Sequence, residues 1–139
     1  MKKLLILCVV TVIQAVSCKS EVDSQNNLVG RWRLVEYCKL DQSNNCSATQ
    51  VDQQNAVFIE FTSDKKYFEK YSKLPPEHRF LGCGDGSYEV VKAELGLYLP
   101  CSSSLAPRKV QIVKQSDNEL VLNSSTSGLK ASEFKFVRL

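Results

Sequence analysis

From Leu28 to Leu139 the apolar residues recur at every second position, the period of a strand with one face buried, and not at the 3.6-residue period of a helix. Trp32 and Leu34 alternate with Arg31 and Arg33, and Val57, Ile59 and Phe61 alternate with Phe58 and Glu60. Continuing the pattern yields eight short strands: Arg31 to Cys38, Ala56 to Thr62, Lys66 to Ser72, Ser87 to Lys92, Leu95 to Leu99, Arg108 to Gln115, Glu119 to Asn123 and Ser132 to Leu139. Ser63-Asp64-Lys65, Ser116-Asp117-Asn118 and Ser127-Gly128 read as the turns between neighbours. No segment holds a helical period for ten residues or more, so a parallel sheet with crossover helices is excluded. What remains is an antiparallel up-and-down barrel or a sandwich. The longest irregular stretch, Lys73 to Gly86, contains Pro75-Pro76 and three glycines and is expected to be a loop at one end of the domain.

The first residues do not belong to this pattern. Lys2 and Lys3 precede an apolar run from Leu4 to Val16, too short to be a membrane span and arranged as an export signal. The run ends in Ala15-Val16-Ser17-Cys18, which resembles a bacterial lipobox, the site where a cysteine is acylated and becomes the first residue of the mature chain; Ala15 and Ser17 also suit an ordinary signal-peptidase site, which would leave Cys18 as a free or intermolecularly paired thiol. The expected organisation is therefore a signal peptide over 1–17, a lipidated Cys18 with a polar flexible tether over 18–27, and a barrel domain over 28–139. Cysteine arithmetic agrees: Cys8 leaves with the signal, and acylation uses Cys18, so an even set of four remains to pair in an oxidising compartment. Cys38 ends the first strand and Cys46 follows the polar loop 41–45, while hairpin register brings Cys83 near Cys101; Cys38–Cys46 and Cys83–Cys101 are the expected bridges. Lys19, Glu21 and Asp23 after the anchor are similar to signals that send lipoproteins to the outer face of the outer membrane. The expected location is thus the bacterial outer membrane, with the lipid as the membrane attachment and either face of that membrane open to the barrel.

Charge narrows the list of partners. Lys plus Arg total 18 against 15 Asp plus Glu, and removing Lys2 and Lys3 leaves 16 against 15. A chain so nearly neutral lacks the basic stripe of a nucleic-acid binder. Nor is there a catalytic constellation. His78 stands alone beside Pro75-Pro76 and is expected to be solvated; Ser102-Ser103-Ser104 has no nucleophile-elbow context; Asp85 reads as a turn residue; Glu36 and Glu60 share no cleft. The expectation is a monomeric, non-enzymatic binding protein with no cofactor and no metal.

Leu28-Val29-Gly30-Arg31-Trp32 at the start of the domain and Phe134-Lys135-Phe136-Val137-Arg138-Leu139 at its end resemble the lipocalins, in particular the small lipocalin-like domains of bacterial lipoproteins. The resemblance implies an eight-stranded antiparallel β-barrel in which Trp32, entered through Gly30, seals one end beneath Arg138. Parity is compatible, since Phe134, Phe136 and Arg138 share a face. It also implies a small apolar ligand inside the barrel, for which the inward candidates are Ile59, Phe61, Tyr88, Leu97, Leu99, Ile112, Leu122, Phe134 and Phe136. A second resemblance, to heat-shock-related lipoprotein domains, rests on Leu81-Gly82-Cys83 followed by Gly86-Ser87-Tyr88, and implies a closed interaction module with no small-molecule ligand. Here Gly84 replaces the Asn of that pattern and the helix expected after the second Cys is missing.

Overall fold

Period-two alternation is converted directly into a wall with one buried face. The computed structural model describes residues 27–40, 43, 45–124 and 132–139, with Lys39, Leu40 and Ser132 as backbone alone. The expected signal segment, Cys18, nearly all of the tether and the Ser127-Gly128 turn lie outside the described residues. Nine strands are present: β1 (Gly30–Leu40), β2 (Cys46–Gln50), β3 (Val57–Phe61), β4 (Lys66–Tyr71), β5 (Asp85–Val91), β6 (Glu94–Tyr98), β7 (Arg108–Gln115), β8 (Glu119–Ser124) and β9 (Ser132–Arg138). From β3 onward each strand pairs antiparallel with the next, and β9 returns to pair with β1, closing the sheet. Closure removes the free edges that an open sheet of this length would expose.

Eight of these strands, β1 and β3 to β9, form the barrel; β2 is a ninth that the alternation did not reveal. Its sequence, Cys-Ser-Ala-Thr-Gln, is mostly exposed, so no buried face imposes a pattern on it. It pairs with the far half of β1, Glu36 to Leu40, while β3 takes the near half, Gly30 to Arg33. The Cys38–Cys46 bridge fastens the β1–β2 hairpin, and Cys83–Cys101 joins the long loop before β5 to the segment after β6. Each closes a short loop and so restricts the unfolded chain, for about 2 to 4 kcal/mol. Two disulfides are the mark of an extracytoplasmic, oxidising environment. Asp85, expected in a turn, is instead the first residue of β5.

A register shift between Leu34 and Glu36 inserts a bulge in β1 opposite β9. Simple alternation from Trp32 and Leu34 would send Glu36 into the core. The extra residue reverses the parity, so Tyr37 packs inward, stacked on Phe134 at 5.9 Å, while Glu36 accepts a hydrogen bond from Gln50 on β2. A similar shift between Ile112 and Lys114 in β7 leaves two successive residues, Val113 and Lys114, both exposed.

The two ends of the barrel differ in their connections. At the entry end, where the chain arrives at Gly30, the links between β3 and β4, β5 and β6, and β7 and β8 are the short segments 62–65, 92–93 and 116–118. At the opposite, loop end lie the long segment 72–84 and the segment 99–107.

Candidate functional site

At the entry end Trp32 is fully buried, and its indole N–H donates to the Leu28 carbonyl at 2.9 Å. The register sets Trp32 directly opposite Arg138, whose guanidinium lies 4.2 Å from the centre of the indole. Its N–H groups reach three carbonyls: Val29 at 2.8 Å, Asn27 and Asp117. The planar fork matters, since one side chain ties the N-terminal approach, the β7–β8 turn and the last strand together across a flat aromatic face. Gly30 is needed beneath it. Its φ of +142° is one that side chains rarely adopt, and a Cβ there would collide with the guanidinium.

The loop end is built around a residue that belongs to no catalytic motif of the sequence. In β4 the order Tyr67-Phe68-Glu69-Lys70-Tyr71 puts Tyr67, Glu69 and Tyr71 on the inward face, and Glu69 is only 3% exposed. Its carboxylate accepts five hydrogen bonds, all from neutral donors. Tyr67 and Tyr71 hydroxyls donate at 3.1 and 2.8 Å, and the backbone N–H groups of Phe80, Leu81 and Gly82 donate at 2.9, 3.0 and 3.1 Å. Three successive amides converge on one anion, and directly after them the chain turns away through Gly82 at φ +76°, a left-handed conformation that glycine adopts readily. Burial, then the neighbouring Glu69 charge, holds the Tyr67 phenol well above its usual range, and burial with the Glu69 hydrogen bond raises Tyr71 as well. Both tyrosines therefore stay protonated and serve as donors.

The anchored loop reaches across the interior. Phe80 is 7% exposed and packs edge-on against two side chains of β9, Phe134 at 4.9 Å and Phe136 at 5.4 Å. Beside it, His78 departs from the solvated side chain expected of a lone loop histidine. Its ring is 10% exposed, sits edge-to-face with Tyr37 at 5.6 Å, and is hydrogen-bonded through Nδ1 to the Tyr37 hydroxyl at 3.2 Å. The bulge in β1 turns Tyr37 inward to meet it, a contact between residues 41 positions apart that no local pattern encodes.

The nine inward candidates do not converge on one point. Phe61 and Tyr88 touch each other at 5.0 Å near the entry end, where the Tyr88 hydroxyl donates to the Thr62 carbonyl. Phe134 and Phe136 meet Phe80 toward the loop end. Ile59, Leu97, Leu99 and Leu122 are buried, whereas Ile112, next to the β7 bulge, is only partly buried at the margin of the core. Ser102 to Ser104 are exposed, and Glu36 and Glu60 lie on different strands and share no cleft. Among the described residues no group of three or more His, Cys, Asp or Glu is placed to hold a metal ion. The sequence signal by which Glu69 could be found is a carboxylate at inward parity between two tyrosines.

Residues 28–122 match the family model described as a lipocalin-like domain. Among solved structures, a lipocalin-like protein from Bacteroides uniformis superposes with a TM-score of 0.57 at 18% identity, covering 81% of this chain and 99% of that one. At that identity the likeness speaks to the fold alone. No curated protein matches.

Proposed function

The chain belongs to the lipocalin-like domain family, and from that premise we propose that it is a lipid-anchored protein of the bacterial outer membrane that takes up a small apolar molecule at the loop end of its barrel. The observation that carries this reading is Phe80. It is the one aromatic side chain of the described core supplied by a loop and not by a strand, and it fills barrel interior that the strands leave to it. An apolar ligand would take its place between Phe134 and Phe136. The lipobox-like Ala15 to Cys18 and the even set of bridged cysteines support acylation of Cys18. In this reading the protein acts as a monomer and performs no catalysis, and His78 serves the loop through Tyr37.

Displacing Phe80 has a cost that sets the affinity. Fully burying a phenylalanine is worth about 1.5 to 3 kcal/mol, so its expulsion weakens ligand binding by roughly 10- to 100-fold. The test is titration of the mature chain carrying Cys18→Ser with a fluorescent apolar probe. Phe80→Ala is expected to tighten binding by about that factor. A second reading, the closed interaction module, is favoured by Glu69, whose hydrogen bonds all go to the protein itself. Absence of probe binding in both the parent and Phe80→Ala would select it. Recovery of the Cys18→Ser chain in the soluble periplasmic fraction checks the anchor; unchanged membrane partition rules acylation out.

A further inference from the structure

The outer wall made by β1, β3 and β4 carries a compact set of cations and phenylalanines. Register places Arg33, Phe58 and Lys70 in one row across the three strands, and Arg31, Glu60 and Phe68 in the next. All six side chains point away from the core, because they alternate with the buried Trp32, Val57, Ile59, Phe61, Tyr67 and Glu69. Arg31 stacks on Phe58 at 4.5 Å and Lys70 on Phe68 at 5.3 Å, so each ring carries a cation on its face while staying only half-buried. Glu60, 3.4 Å from Lys70, is the one carboxylate in the two rows. Lys66 extends the wall along β4, and Asp85 on β5, opposite Phe68, marks its edge. On the wall formed by β6 to β8 two lysines are paired, Lys109 with Glu94 at 2.9 Å and Lys114 with Glu119 at 3.0 Å, whereas Lys70 with Glu60 is the one ion pair found among the described residues of the β1–β3–β4 wall.

We infer that the β1–β3–β4 wall is a docking surface for an anionic lipid bilayer, which holds the barrel flat against the membrane to which the chain is tethered. Charge complementarity is the first argument. Basic residues near an anionic leaflet attract it additively, and half-buried phenylalanines between them suit the headgroup boundary. Position is the second. Cys18 and Arg31 are 13 positions apart, so even fully extended the chain separates the acylated residue from the first cation of the wall by no more than roughly 45 Å. The tether enters the barrel at Gly30, immediately beside that wall. The inference takes its setting from the anchored reading, but its test does not need the acyl chain.

The mature chain carrying Cys18→Ser is co-sedimented with vesicles of phosphatidylcholine alone and of phosphatidylcholine mixed with phosphatidylglycerol. Binding is expected only to the mixed vesicles, and it should fall as salt shortens the screening length. Each wall cation removed should lower the partition about fivefold, so the double variant Arg31→Glu/Arg33→Glu should lose about 25-fold or more. Lys109→Glu/Lys114→Glu changes the net charge equally on the other wall and should stay within about twofold of the parent. Should the arginine pair disturb the fold, as read from its melting curve, Lys66→Glu/Lys70→Glu on β4 makes the same test. Equal losses from both walls, or no preference for anionic vesicles, overturn the inference. Membrane fractionation of the unmodified chain in cells reports acylation separately, so failure of one claim is told from failure of the other.

Discussion

The two ends of the barrel are each tied together, by chemically opposite groups. At the entry end a cation does the work: Arg138 lies over Trp32 and gathers three carbonyl oxygens. At the loop end an anion does it: Glu69 gathers three amide hydrogens and two phenols, and Phe80 rather than a strand residue fills the space above. The groups joined also differ. Arg138 binds segments that flank strands and are short. Glu69 binds residues 80–82 of the long segment 72–84, which the Cys83–Cys101 bridge also ties to the segment after β6. Local opening needs only the contacts of the segment that moves, so hydrogen exchange is expected to be slower at the entry end than along residues 80–82.

Truncation of Trp32 should give the largest effect and sharpen this contrast. Trp32→Ala removes a fully buried indole and is expected to cost about 3 to 5 kcal/mol, measured by denaturant unfolding, with the whole barrel melting as one unit. A small loss would mean that the entry end is not the seal described. Glu69→Gln keeps the volume but places an amide donor among five donors. It should cost about 1.5 to 3 kcal/mol, in the range of hydrogen bonds to charged groups. The decisive readout is amide exchange: Phe80, Leu81 and Gly82 should exchange faster while strand amides around Trp32 do not. Equal acceleration at both ends would break the comparison.

Alkaline pH probes the loop end more gently. The folded Tyr67 phenol titrates well above the usual value of about 10, so above that pH the unfolded chain has released a proton that the folded chain keeps. Stability is then fully present below about pH 10 and falls as pH rises beyond it, by up to about 1.4 kcal/mol per pH unit for this one group. Melting curves between neutral pH and pH 11 should show the decline, and Tyr67→Phe should make it shallower while leaving the share that Tyr71 contributes. The smallest effect is expected from Arg138→Lys, which keeps the charge but loses the flat face and the fork, for about 1 kcal/mol. A change as large as that of Trp32→Ala would show that the carbonyl clamp outweighs the indole packing.

Much of this architecture was legible in the chain. The strands β1 and β3 to β9, the alternation of Val57, Ile59 and Phe61, and both cysteine pairs follow from period-two patterning and hairpin spacing. The shared face of Phe134, Phe136 and Arg138 is the same kind of local property. By contrast β2 has neither face buried, and so leaves no periodic trace. The bulge in β1 turns Tyr37 inward against the alternation, which is why His78 looked like a solvated loop residue when its partner was unknown.

Side-chain alternation is written into the backbone geometry of a strand, so residue order alone decides which face of each strand is apolar, and a closed sheet of short strands is the way to bury those faces together. The partners of Glu69 obey no such rule. Phe80, Leu81 and Gly82 lie 11 to 13 positions away through an aperiodic loop, and their amides converge on the carboxylate only along the path that loop takes over the finished barrel. A buried carboxylate is tolerable only if its donors arrive together, and their arrival depends on every strand beneath the loop being in place. The class of fold was thus a matter of residue order, and the identity of the side chain that closes the loop end was a matter of tertiary structure.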